Sequence, residues 1–549
     1  MFQQDTQAVG DSLLLSALCA LIPLAVLFVL LGGLKVRAWI SGLVALVVAL
    51  VDAVLLFGMP VGQGISAAID GALFGFFPIL WIVINAIWIY TMTVDTGHFD
   101  VLRRTFAQVS DDQRIQAIII AFSFGALLEA LAGFGTPVAI TSVMLIAMGF
   151  KPLKAAVVAL VANTAPVAFG AMAIPIITLG GVTNISTDTL GDMVGHQTPI
   201  LAVFVPLVLV FIVDGRRGIA QTWVAALAAG VSFGVAQWIT SNHLSVPLTD
   251  IVASLFSVIV LVALLRVWQP GQTLGGAEPA PVIAGGAADE PTPEFAARVA
   301  RPDDRGEIVR AYAPYAIIIV VFVLAQIDPI KGWLNEPTKI VNWPGLHLTT
   351  AAGKASTLPQ FKINYVNAAG SLLLVAGVLT AIALKVSVGR ALRAYWATLV
   401  QLRWAIVTVM AVLGLAYVMN ASGQTITLGT WMAGAGWFFA FLSPVLGWLG
   451  TAVTGSDTSS NSLFGALQVA AAGKAHLSPL LMAASNSSGG VLGKMVSPQN
   501  LAIAAAAVGM DGKEGDIFRR VIVWSLVFLA GMGVLALLQS VAVLSWMVP

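Results

Sequence analysis

The chain has 549 residues, of which 58% are hydrophobic and 10% charged, with a net charge of +1. Soluble domains are about 25% charged, so the composition is that of a polytopic membrane protein immersed in a lipid bilayer, and the near-neutral balance argues against nucleic acid as a partner. A single cysteine, Cys19, excludes a disulfide framework and a thiolate metal site, and without a Walker A or G-x-G-x-x-G pattern neither ATP-driven transport nor a dinucleotide cofactor has support.

Apolar runs near the 20 residues that a crossing needs fall at 12–32, 38–58, 67–93, 199–213, 219–240, 248–267, 312–328, 367–385, 404–420 and 521–546. The first has no basic flank ahead of Ser12–Leu31 and reads as a retained helix, not a cleaved signal. The stretches 115–149 and about 428–472 read as hairpins that enter and leave on one side. Segments around 154–177 and 478–508 read as crossings with broken backbone, which hydrocarbon tolerates only where protein or a water-filled cavity satisfies the freed groups. The expected fold is therefore all-α, with about 12 crossings plus two hairpins.

Basic residues set the orientation. Lys35, Arg37, Arg103, Arg104, Lys151, Lys154, Arg216, Arg217, Arg390, Arg393, Arg519 and Arg520 fall on one side, expected to be cytoplasmic, with both termini outside. Loop 329–366 is the misfit, carrying Lys331, Lys339, Lys354 and Lys362 on the other side. The Pro/Ala/Gly-rich stretch 268–310 is expected to be a disordered cytoplasmic linker between two halves.

The halves share a pattern. Asn163 is followed by Gly170, Met172 and Pro175 at offsets of 7, 9 and 12, and Asn486 by Gly493, Met495 and Pro498 at the same offsets. Upstream lie two Gly-rich breaks, Gly133-Phe134-Gly135-Thr136-Pro137 and Gly455-Ser456-Asp457-Thr458-Ser459-Ser460-Asn461. Paired interrupted segments point to a secondary transporter whose inverted repeats, 38–213 and 367–546, meet near the bilayer midplane within a single transport domain.

Asn163, Thr164, Asn486, Ser487 and Ser488 are expected at the breaks, with Ser456 and Thr458 in the second Gly-rich segment. Half-helix N-termini there would present free N–H groups and a positive dipole end to an anion. Lys494 would lie about 20 Å from the cytoplasmic face at 1.5 Å per residue, too deep to snorkel. An intramembrane lysine of that kind is a functional candidate paired with an anion, although Asp457 could be a purely structural partner. Ala171 is its counterpart in the first repeat, so one such cation suits a singly charged substrate. Glu129 and Asp457 are the candidate proton-coupling carboxylates, Glu129 first; each could instead be an ion-pair or capping group. Asp52 and Asp70 lie in apolar spans without a surrounding motif, and His196 could titrate at the outer mouth. A lone anion entering a negative cell is opposed by about 2.3 kcal/mol per 100 mV, and one accompanying proton cancels that charge.

The segments GALLEALAGFGTPVAI, GFKPLKAA, NTAPVAFGAMAIPI, FLSPVLGWLG, TGSDTSSNSLFGALQ and GKMVSPQ with AAVGMDGKEGDIFR closely resemble the bacterial L-lactate permease family. The resemblance runs over nearly the whole chain and is weakest in 268–310 and 329–366. It implies a multi-pass symporter of the bacterial inner membrane that carries L-lactate with a proton, and often D-lactate or glycolate. One departure is Gly195-His196-Gln197, where the family pattern has an arginine in place of His196. If that arginine attracts anions, the function here becomes pH-dependent or absent.

The expected activity is proton-coupled uptake of a short 2-hydroxymonocarboxylate by alternating access. A Na⁺-coupled carrier of another small organic anion is the alternative. A channel would never accumulate substrate, and a membrane enzyme is disfavoured because no nucleophile–base or metal constellation is present.

Overall fold

The computed structural model describes residues 2–34, 36–107, 109–133, 135–274, 304–350, 356, 358–510 and 512–549. Long apolar helices dominate them: ten are long and apolar enough to cross a membrane, or eleven if the bent pair Pro152–Ala162 and Val167–Thr183 is one crossing. The strands described are two short pairs, Phe2–Gln3 beside Leu348–Thr349 and Lys339–Asn342 beside Gln360–Ile363.

The expected crossings and these helices do not match one to one. Gln113–Leu131 and Gln424–Thr454, read as parts of hairpins, are each long and apolar enough to cross, and Pro479–Gly493 with Pro498–Ala507 is not among the spans. Two further differences have physical reasons. Runs 199–213 and 219–240 belong to one helical unit, Thr198–His243, interrupted only at Asp214 and at Gly215, which has φ 61° and ψ −145°. Its arms fold back on each other: a Cβ on Gly234 would lie 3.0 Å from Pro199 O. One unit thus supplies two arms. Conversely, Ala369–Ala383 has 15 residues and falls short of a full crossing by length. Residues 275–303 of the expected linker lie outside the described residues. Its described flanks are ordered, with 268–274 packed back on the bundle and the next helix beginning at Arg305, earlier than the expected 312.

The elements that position the site come from both halves. In the first, the helical stretch Gln113–Leu131 ends in α1 (Gly125–Ala132) and turns at Gly135, whose φ of 85° suits a residue without Cβ. There follow α2 (Thr136–Ala147), α3 (Pro152–Ala162), α4 (Gly170–Thr183), a short helix α5 (Thr187–Gly195), α6 (Thr198–His243) and α7 (Thr249–Leu265). In the second, α8 (Phe439–Thr454) turns at Gly455, φ 78°, into α9 (Asp457–Ala475). Then come α10 (Pro479–Gly493), α11 (Pro498–Ala507) and α12 (Glu514–Gln539). A tight helical turn followed by two helices joined through non-helical backbone therefore occurs once in each half.

Candidate functional site

The two breaks are built differently. α3 stops because Asn163-Thr164-Ala165-Pro166 leaves the helix, and the chain re-enters α4 at 65° to α3. At that re-entry Ala171, Met172 and Ala173 are all left-handed, with φ of 45°, 61° and 60°. Such residues cost about 1–2 kcal/mol each relative to the right-handed form, so surrounding contacts hold this turn open. α10 instead runs unbroken through Asn486, Ser487 and Ser488 to Gly493; a 3₁₀ turn, Lys494–Val496, and the cap Ser497 then lead into α11.

Two expectations are corrected here. Asn486, Ser487 and Ser488 lie mid-helix, one to two turns before the break. Asn163 caps the C-terminal end of α3, the negative end of a helix dipole, so it does not mark a helix N-terminus. The N-termini at the site belong to α9, where Ser456 Oγ accepts from Ser459 N at 3.3 Å, and to α11, where Ser497 Oγ accepts from Asn500 N at 3.3 Å.

Between the halves lies a cavity of about 1170 Å³. Exposed Arg37 and Gln499, with half-exposed Glu514, line its mouth, while buried Glu129, Asp457 and Lys494 line its floor. Lys494 Nζ donates to Glu129 Oε1 at 2.6 Å, and Asn163 Nδ2 donates to Glu129 Oε2 at 3.0 Å. Glycine makes room for this carboxylate: a Cβ on Gly170 would stand 2.8 Å from Glu129 Oε1. The partner of Lys494 is therefore Glu129 across the interface, not the suggested Asp457.

Asp457 is held by neutral donors. Ser487 Oγ donates to its Oδ2 at 2.7 Å and Asn461 Nδ2 at 3.4 Å. Asn461 also reaches the opposite half, donating to Pro175 O at 3.1 Å. Asn486 Nδ2 donates to Asn461 Oδ1 at 2.9 Å, and Gln468 Nε2 to Asn486 Oδ1 at 3.0 Å. Asn461 lies four residues after Asp457 on one helical face; Gln468 carries no such signal.

Of the nominated residues, the structure brings Glu129, Lys494, Ser456, Asp457 and Thr458 to the cavity wall. Asn163, Asn486 and Ser487 stand behind it as hydrogen-bond partners. Thr164 turns back to Val161 O at 2.7 Å, and buried Ser488 Oγ has no partner among the described residues; neither lines the cavity. His196 caps α5, while its neighbour Gln197 points inward and donates to Ser485 Oγ at 3.0 Å and Gln539 Oε1 at 2.9 Å. Asp52 and Asp70 are buried away from the cavity, without hydrogen-bond partners among the described residues.

Residues 16–543 match the L-lactate permease family. The chain is 41% identical over 545 residues to the glycolate permease of Escherichia coli K12, covering 96% of both. It is 40% identical over 571 residues to the L-lactate permease of Bacillus subtilis 168 and 39% identical over 561 residues to that of Escherichia coli K12, covering each in full.

Proposed function

This chain belongs to the L-lactate permease family, a multi-pass permease of the bacterial inner membrane and not an enzyme, and on that premise we propose that it imports L-lactate, with D-lactate or glycolate, in symport with a proton. The observation that carries this reading is the Lys494–Glu129 pair on the cavity floor. A substrate carboxylate can replace Glu129 on the same cation. Glu129, buried and stripped of its partner, then takes up a proton because an isolated buried carboxylate is costly. One anion and one proton have entered, and the site keeps its net charge.

The surrounding groups suit such an exchange. Asn163 Oδ1 is buried without a partner among the described residues and can accept from protonated Glu129 once the amide turns. Ser456 and Thr458, at the N-terminus of α9, offer a hydroxyl and backbone donors to the substrate carboxylate or its 2-hydroxyl. We read the two halves as inverted repeats that rock about this site, and the cavity as its cytoplasm-facing opening.

The test is uptake of labelled L-lactate into proteoliposomes with acid outside and no Na⁺. The expected result is accumulation above the external level, abolished by an uncoupler and by Glu129→Gln. Uptake that appears only with Na⁺ overturns the proton coupling, and flux that never accumulates makes the protein a channel. Accumulation that survives Glu129→Gln keeps the symporter and moves the proton to Asp457 or to the substrate itself.

A further inference from the structure

Behind Glu129, on the side away from the cavity, lies a carboxyl that the exchange above leaves unused. Asp250 is in the first turn of α7 and is 0% exposed. Its helix runs from there towards Arg266 and the cluster of Arg217, Gln272 and Asp214, so Asp250 occupies the end opposite that cluster. Among the described residues no cation pairs with it.

What it does contact leads back to the site. Gln237 Nε2 of α6 donates to Asp250 Oδ1 at 3.0 Å and to Ala165 O at 3.3 Å, in the same break whose Asn163 holds Glu129. These two acceptors on Nε2 set which way the Gln237 amide faces, while the Thr198 hydroxyl donates back to Val194 O at 3.1 Å. The other acceptors are left open: Asp250 Oδ2 and Asn163 Oδ1 are buried with no partner among the described residues. Buried acceptors are normally satisfied, and a proton on Asp250 Oδ2 or a bridging water would do that here.

The charged surroundings of Asp250 are few. α1 packs against α7 and brings Glu129. α6 carries Asp214, Arg216 and Arg217 at its hinge and His243 at its other end. α4, the 117–124 segment and the 246–248 turn bring no charged residue.

We propose that Asp250 is the proton partner of Glu129 on the closed side of the site, joined to it through Gln237 and the Asn163–Ala165 break. This rests on the proton-coupled reading above. When substrate draws Lys494 away, the Asp250 carboxyl gives its proton to a water and that water gives one to the Glu129 carboxylate; the amides of Gln237 and Asn163 hold the two carboxyls in place and do not themselves carry the proton. Asp250 is left as the anion and regains a proton from the outer face. No bond other than the O–H bonds of the two carboxyls and the water is made or broken.

The experiment compares initial L-lactate uptake against pH in proteoliposomes of wild type, Asp250→Asn, Asp250→Glu and Gln237→Leu. Asp250→Asn keeps an acceptor for Gln237 and removes the titration. It should shift the acid limb of the profile by about one pH unit, a tenfold change in proton affinity, while lactate-for-lactate exchange persists. Asp250→Glu should restore the wild-type limb. Gln237→Leu keeps both carboxyls, cuts the link, and should shift the limb as Asp250→Asn does; it carries the test if Asp250→Asn does not fold. Profiles that superimpose on wild type overturn the proposal. A wild type without pH-driven accumulation instead sinks the underlying coupled reading, and the two failures are thereby distinct.

Discussion

Lys494 and Glu129 are 365 positions apart in the chain and 2.6 Å apart in the fold. Each was legible alone as a charge in an apolar run, because such a charge is too expensive to be incidental. Their meeting was not, since spacing within one half carries no information on its register against the other. Removing one partner of a buried pair costs about 3–5 kcal/mol, whereas replacing both by neutral groups of similar size is close to neutral. Lys494→Ala should therefore lower the thermal unfolding midpoint strongly, and Lys494→Met combined with Glu129→Gln should regain most of the loss. Neither protein should accumulate lactate. Tryptophan fluorescence during heating reads the first outcome and proteoliposome uptake the second. A single variant as stable as wild type would show that the pair does not hold the interface. The misplaced trio Asn486, Ser487 and Ser488 follows from the same limit. Polar residues in an apolar run were read as broken backbone, but Asn461 and Gln468 of α9 satisfy the side chains of Asn486 and Ser487 laterally, so α10 stays helical.

The elements around the site are fastened by a second buried cation that the sequence did not announce. Arg114 is 1% exposed, yet in the sequence an arginine at the start of an apolar run looks like any cytoplasmic flank. Its guanidinium donates to Asp112 Oδ1 at 3.0 Å and Oδ2 at 2.6 Å, to Asp214 Oδ2 at 3.1 Å, to Gln221 Oε1 at 2.6 Å and to Gln272 O at 2.5 Å. One side chain thus ties the start of the Gln113–Leu131 stretch to the Asp214–Gly215 hinge of α6 and to the segment 268–274. Leu274 N closes the clasp on Asp112 Oδ2 at 3.2 Å. Burial pushes the Asp112 carboxyl up, but hydrogen bonds from the Arg114 side chain and backbone and from Leu274 outweigh it and leave it below the usual carboxylate range. A folded value below the unfolded one, about 3.9, stabilises the clasp above that pH, and the contribution is lost as pH falls through the folded value. Amide exchange at Leu274, expressed relative to its intrinsic rate, should be protected at neutral pH and lose protection only below the usual carboxylate range. Asp112→Asn should lack that acid step. Unchanged protection in the variant would mean that the segment is held by other contacts.

At the scale of the molecule, the cavity and the charge distribution make one prediction together. The helical class, the family and the first broken crossing were legible because hydrophobicity and Gly/Pro placement are local properties. Which way the site opens is not local, since it depends on how the halves tilt. In the structure the mouth is lined by Arg37 and Glu514, next to basic positions that the positive-inside tendency assigns to the cytoplasm. Arg519 and Arg520 follow Glu514 within two turns of α12. Thr458, half-buried on the cavity wall, can report this with one atom. Cys19 is the only native thiol and does not line the cavity, so Cys19→Ser with Thr458→Cys gives a single reactive site. A membrane-impermeant thiol reagent should label it in inside-out vesicles, more slowly when lactate fills the cavity, and far less in right-side-out vesicles at rest. An acid-outside gradient with external lactate should raise outside labelling as the site turns over. Labelling from outside alone, under all conditions, would invert the orientation drawn from the basic residues and place Asp250 on the cytoplasmic side of Glu129.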